Sequence, residues 1–88
     1  MKSRISKRAE DDFLNHIERL DRLNPDAAGK IAQSILATLE QIEAFPEAGH
    51  KERLYRKLPV AGTEYVVYYR ISADVVDIAR ILHSKQLR

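Results

Sequence analysis

The sequence predicts an α+β domain in which a helical hairpin packs on one face of a small, largely antiparallel sheet, in the order β-α-α-β-β-β. Three observations carry this expectation. Apolar residues recur every three or four positions from Ala9 to Leu20, and again from Ala28 to Ile42. After Tyr55 the period changes, in segments rich in aromatic and β-branched residues. The chain has 88 residues, enough for one domain spanning 1–88 with a modest core, and too few for a second.

Each element follows from local chemistry. Lys2 to Ser6 places Ile5 among polar residues and reads as a short first strand. Ser6 can cap a helix through its hydroxyl, and Glu10, Asp11 and Asp12 follow in the opening turns, where carboxylates suit the helix dipole. Ala9, Phe13, Ile17 and Leu20 fall on one face of that helix, with Arg19 and Arg22 near its other end. Leu23-Asn24-Pro25-Asp26 is the break: Asn24 caps the next helix and Pro25 fits its first position. Ala28, Ile31, Ile35, Leu39 and Ile42 form the second apolar face, and Phe45-Pro46 ends it. Pro46 to His50 reads as loop. Tyr55 to Val60, Tyr65 to Ile71 and Val75 to Leu82 read as strands, joined by turns at Ala61-Gly62-Thr63 and Ser72-Ala73-Asp74.

Composition excludes several functions. Cysteine is absent, which removes disulfides, thiolate zinc sites and cysteine nucleophiles, and fits a cytoplasmic location. No apolar run approaches the length of a membrane span, so no membrane association is expected. His16, His50 and His83 lack metal-ligand spacing, and three isolated glycines make no phosphate loop, so neither metal nor cofactor is expected. Up to Pro46 there are 7 basic and 8 acidic residues, whereas from Glu47 onward there are 8 and 5. The second half therefore offers the more basic surface to an anionic partner.

The basic residues of that half, Arg53, Arg56, Lys57, Arg70, Arg80, Lys85 and Arg88, are interleaved with Tyr55, Tyr65, Tyr68 and Tyr69. Cations with tyrosine faces suit single-stranded RNA or an acidic protein surface. The last strand poses a puzzle. Strict alternation puts Val76, Ile78, Arg80 and Leu82 on one face and Asp77, Ala79, Ile81 and His83 on the other, so each face carries a charge. Asp77 or Asp74 is placed to pair with Arg70 across the hairpin. His83 has two readings: a neutral imidazole beside Lys85 acting as general base toward a ribose hydroxyl, or a hydrogen-bonded pin at the end of the sheet.

With these segments in hand, the chain resembles the ParE/RelE superfamily of bacterial type II toxin–antitoxin toxins. The resemblance runs from Asp11-Asp12-Phe13-Leu14, through Asn24-Pro25-Asp26-Ala27-Ala28 and Phe45-Pro46-Glu47-Ala48-Gly49, to Gly62-Thr63-Glu64-Tyr65-Val66-Val67-Tyr68-Tyr69-Arg70-Ile71 and Val76-Asp77-Ile78-Ala79-Arg80-Ile81-Leu82-His83. It implies a plasmid-stabilisation toxin with a cognate antitoxin, whose flexible segment folds across the helical hairpin and sheet. Phe13, Ile17, Leu20, Ile35 and Leu39 are the antitoxin contacts this suggests.

Two mechanisms divide the superfamily. RelE-like members cut messenger RNA on the ribosome, with basic side chains on the concave sheet face. ParE-like members keep the fold and inhibit DNA gyrase by binding it. The strand position matching Tyr65 holds a catalytic arginine in the nucleases, and Ser84 follows His83 where one nuclease branch has a tyrosine. Both departures favour the ParE-like branch. The face expected to meet the target comprises Arg53, Arg56, Lys57, Tyr65, Arg70, Arg80, His83 and Lys85. If RNA cleavage operates, His83, Lys57, Arg70 and Lys85 are its candidates. The alternatives are a ribosome-dependent endoribonuclease, with ribosome and mRNA as partners, and an inactive antitoxin-binding or autoregulatory member.

Overall fold

The computed structural model describes residues 1–87. In chain order it contains β1 (Lys2–Ile5), α1 (Lys7–Leu23), α2 (Pro25–Ala44), β2 (His50–Glu52), β3 (Tyr55–Pro59), β4 (Tyr65–Ser72), β5 (Val75–His83) and a 3-10 turn (Ser84–Leu87). The sheet runs β1-β5-β4-β3-β2, with β1 parallel to β5 and every other pairing antiparallel.

The caps act as their residue types require. Ser6 Oγ accepts the Ala9 N–H and starts α1. Asn24 serves both helices: its N–H donates to Leu20 O at the end of α1, and its side chain accepts the Ala27 N–H at the start of α2. Pro25 follows as the first residue of α2. The hairpin lays Ala9, Ile35, Leu39 and Ile42 against Tyr65, Val67, Tyr69, Val76, Ile78 and Ile81 of the sheet. Phe13, Leu20, Ile31 and Leu58 close the margin of that core.

Two features depart from the sequence reading. The first is β2, a strand of three exposed residues on an edge, where no burial pattern marks it. It begins at His50, so the expected loop is shorter by one residue. The second resolves the puzzle of the last strand. Tyr68 faces Arg80 but Tyr69 faces Ile78, so Ala79 is the extra residue of a β-bulge. Val76 and Ile78 point into the core, the bulge shifts the phase, and Ile81 points there too. Arg80 and Leu82 therefore stand on the open face with Asp77. Neither strict alternation holds, and each apolar residue of the core face is retained.

The segment between α2 and β2 is held from the sheet. Tyr69 Oη donates to Pro46 O at 2.7 Å and accepts the Gly49 N–H at 2.8 Å. Arg56 donates to Gly49 O at 3.0 Å and Glu47 O at 3.3 Å. Glycine is required at 49 because a Cβ there would sit 2.6 Å from Tyr69 Oη.

Candidate functional site

The strongest convergence of polar groups lies where β5 outruns β1. β1 pairs with β5 only as far as Ile78, which leaves the next part of the β5 edge without a strand partner. α1 supplies side chains instead. Ser6 donates its N–H to Ile78 O and its hydroxyl to Ala79 O. Asp12 Oδ2 accepts the Ile81 N–H at 2.9 Å, and the two Asp12 oxygens accept from Arg80 Nε and Nη2 at 2.8 and 2.9 Å. His16 Nε2 lies 2.8 Å from Ile81 O; a carbonyl only accepts, so the proton is on Nε2. An exposed edge becomes a closed one.

The ionisation of this cluster follows from its surroundings. Burial pushes the Asp12 carboxyl up, but the hydrogen bonds from Arg80 and Ile81 and the guanidinium charge outweigh it and hold the group below its ordinary value. Burial dominates at His16 and lowers its imidazole, with Arg19 and His83 adding to the effect against the Ile81 hydrogen bond and Asp12. Arg80 is raised by its hydrogen bonds to Asp12, against desolvation.

Tyr65 is the centre of a second set of contacts. Its ring lies 4.7 Å from His16 and 5.2 Å, edge-on, from His83. Only 4% of it is exposed, so its expected place on the open face is corrected: it faces the helices. His83 is held at three points. Its Nε2 lies 3.2 Å from Glu64 Oε2, its Nδ1 accepts the Lys85 N–H at 3.2 Å, and its own N–H donates to the Gln86 side chain. The imidazole is thus the hydrogen-bonded pin of the sheet's end.

The remaining basic candidates divide. Arg56 is spent on the loop carbonyls described above. Lys57 pairs with Glu52 at 2.8 Å. Arg70 is exposed, lies 5.9 Å over the Tyr55 ring and stands opposite Asp77, but the ion pair of Asp77 is with Arg4. Arg53 is exposed in the β2–β3 turn with a positive φ of 58°, and Lys85 is exposed after β5. Arg88 lies outside the described residues. The structure therefore brings Lys57, Arg70 and Arg80 onto the open face, and leaves Arg53, Arg56, Lys85 and His83 away from a common centre.

On the hairpin, Ile35 and Leu39 are core residues and Phe13, Ile17 and Leu20 are half-buried. The exposed apolar residues there are ones the candidates did not include: Leu14 and Leu36, each about half exposed, and Leu23 at the end of α1, with half-exposed Ile5 on β1. A small cleft lined by Ile5, Ala9, Glu10, Phe13, Leu36, Leu39 and Ile81 opens between the two helices and β1. Leu14 and Leu36 each directly neighbour a stripe residue, Phe13 and Ile35, and widen the apolar face beyond what the core uses.

No group of three or more metal-binding side chains gathers among the described residues, and no helix there is long and apolar enough to cross a membrane.

A family model described as the ParE toxin of the type II toxin–antitoxin system parDE matches residues 4–88. The chain belongs to the ParE toxin family. A Sinorhizobium fredii protein named "Putative toxin Y4kP" is 32% identical over 82 residues, covering 83% of this chain and 84% of that one. A solved structure titled "Chromosomal ParDE TA system from P. aeruginosa" superposes with a TM-score of 0.83 at 19% identity, over 94% of this chain and 95% of that one. The likeness confirms the fold of this ParE family member: two helices against one face of a mixed five-stranded sheet.

Proposed function

We propose that this ParE family toxin acts by binding, as an inhibitor of DNA gyrase, and that a cognate antitoxin neutralises it. One observation carries the reading against a nuclease. Of the basic groups RNA cleavage could use, Arg70 and Lys85 are exposed, but the others are engaged within the chain. Arg80 is clamped by Asp12, Lys57 is paired with Glu52, and Arg56 holds the loop. The two His83 ring nitrogens face Glu64 and the Lys85 amide, which leaves no lone pair directed at an incoming hydroxyl. Tyr65 is buried and offers no charge to a scissile phosphate.

The antitoxin supports itself on the hairpin in this reading. The cleft beside Phe13, lined also by half-exposed Ile5 and Leu36, suits an amphipathic segment that orders as it binds.

The test is to express the chain without antitoxin, then assay supercoiling by purified gyrase and cleavage of ribosome-bound messenger RNA. Supercoiling falls and transcripts stay intact. Codon-spaced cuts with normal supercoiling overturn the proposal. Harmless expression with neither effect assigns the chain to the inactive class. His83→Ala separates the remaining roles: it lowers thermal stability through the lost contacts with Tyr65 and Glu64, and it leaves gyrase inhibition in place.

A further inference from the structure

At the end of the sheet beside the β2–β3 turn, three cations gather around one small pocket. Its volume is about 130 Å³, and Lys51, Leu54, Arg56, Arg70 and Ile71 line it. Three strands contribute the charges: β2 gives Lys51, β3 gives Arg56 and β4 gives Arg70. No carboxylate lines the pocket.

The chain treats its other strand cations differently. Arg4 is paired with Asp77, Lys57 with Glu52 and Arg80 with Asp12. Lys51, Arg56 and Arg70 make no ion pair among the described residues. Lys51 and Arg56 are also register partners, a like-charge pair set directly across two strands, which by itself destabilises a sheet. Asp77 stands opposite Arg70 but is taken by Arg4. A concave site lined by one sign of charge concentrates counter-ions, and an anion seated there relieves the repulsion.

Both guanidiniums are already positioned. Among the described residues Arg56 donates only through Nη1, to the Gly49 and Glu47 carbonyls, which leaves Nε and Nη2 for a further acceptor. Arg70 lies 5.9 Å over the Tyr55 ring. We propose that this pocket binds the phosphate monoester of a small soluble molecule, with Arg56 and Arg70 donating to its oxygens and Lys51 supplying the third charge. Guanidinium donors match phosphate oxygens in geometry. A monoester, whose second pKa is about 6, is largely a dianion at neutral pH and answers three cations better than a singly charged diester.

The surrounding charges limit the source of that phosphate. A nucleic-acid strand continues past the pocket, and its next phosphates would meet Glu52 and Asp77. An anionic lipid surface would meet Glu47 and Glu52, both exposed. The inference is independent of the gyrase reading, because it rests on the pocket and its charges alone.

Titration of the full chain with methyl phosphate and with dimethyl phosphate, followed by amide resonances, tests it. Methyl phosphate shifts the amides of Lys51, Leu54, Arg56 and Ile71 to saturation, and binds about tenfold more tightly than the singly charged diester. Lys51→Glu and Arg70→Gln each weaken it about tenfold. Both side chains are exposed, so these variants fold, which a circular dichroism melt no lower than that of the parent chain verifies. Arg8→Gln removes an exposed cation of α1 outside the pocket and leaves the affinity unchanged. Equal affinity for the two esters, resonances shifted elsewhere, or affinity insensitive to both pocket variants overturns the proposal. So does tighter capture of the chain by a short single-stranded RNA or by phosphatidic acid vesicles.

Discussion

The two faces of the sheet are built from the same strands and solve opposite problems. Toward the helices, each polar group that enters the core margin is matched: Tyr69 by Pro46 and Gly49, His16 by Ile81, Asp12 by Arg80 and Ile81. Toward the open side, ion pairs lie across neighbouring strands, Arg4 with Asp77 and Lys57 with Glu52, and water is free to compete for them. Bonds of similar length therefore differ in worth. Those on the closed side hold the fold together, and those on the open side set the charge pattern a partner meets.

The sharpest way to break this contrast is Asp12→Ala. It strands the Arg80 guanidinium, about one-third exposed, and removes the acceptor of a strand N–H. The expected loss is about 2–3 kcal/mol, at the low end for a broken buried pair because Arg80 keeps some water. Urea unfolding measures it. Acid gives a second readout. Folded Asp12 binds its proton more weakly than an unfolded aspartate, so its stabilisation is present above about pH 4 and is lost as pH falls through the lower folded value. Asp12→Ala should remove that part of the acid transition. An unchanged acid limb would show that the bidentate contact carries no stability.

Gly49→Ala tests the closed side at its tightest approach. The new Cβ meets the Tyr69 ring, which both its hydroxyl bonds hold in place, so the ring cannot give way without losing them. A cost of about 2 kcal/mol is expected. Tyr69→Phe combined with Gly49→Ala should recover part of it, since deleting the hydroxyl removes the nearest clash, although the Gly49 N–H and Pro46 O then lose their partner.

His16 gives a smaller effect and a different signature. Its folded imidazole binds a proton more weakly than the unfolded one, chiefly because it is buried. Stability is therefore full above about pH 6.5 and declines as pH falls toward the lower folded value. His16→Gln keeps an N–H donor for Ile81 O and does not titrate. It should flatten the decline between neutral and mildly acidic pH while leaving the Asp12 transition unchanged.

The legibility of this chain follows the same division. Periodicity alone located both helices, and Ser6 and Asn24 cap them as their hydroxyl and amide chemistry demands. The last strands were legible as strands but not in phase, because a bulge is a relation between two strands and Ala79 carries no local mark of it. β2 was hidden because three exposed residues show no alternation. The candidate site was harder. Asp12 and Arg80 are 68 residues apart and meet only through the topology, and Tyr65 showed its aromatic character without showing which side it faced. Family resemblance reached the toxin class from the motif around Tyr65 and His83; the structure then showed what those residues touch.

The least disruptive changes belong on the open face, and they test the comparison from its other side. Lys57→Gln removes a well-formed ion pair with Glu52. Glu52 is about half exposed and the Lys57 side chain about one-third, so solvent and salt still reach the pair and its loss should shift the melting temperature little. What changes is the field. Glu52 becomes an unpaired carboxylate on the tyrosine-bearing face, so an acidic partner should associate more slowly, most clearly at low ionic strength. A large loss of stability in Lys57→Gln would mean that the open face also holds the fold, and the contrast between the two sides would fail.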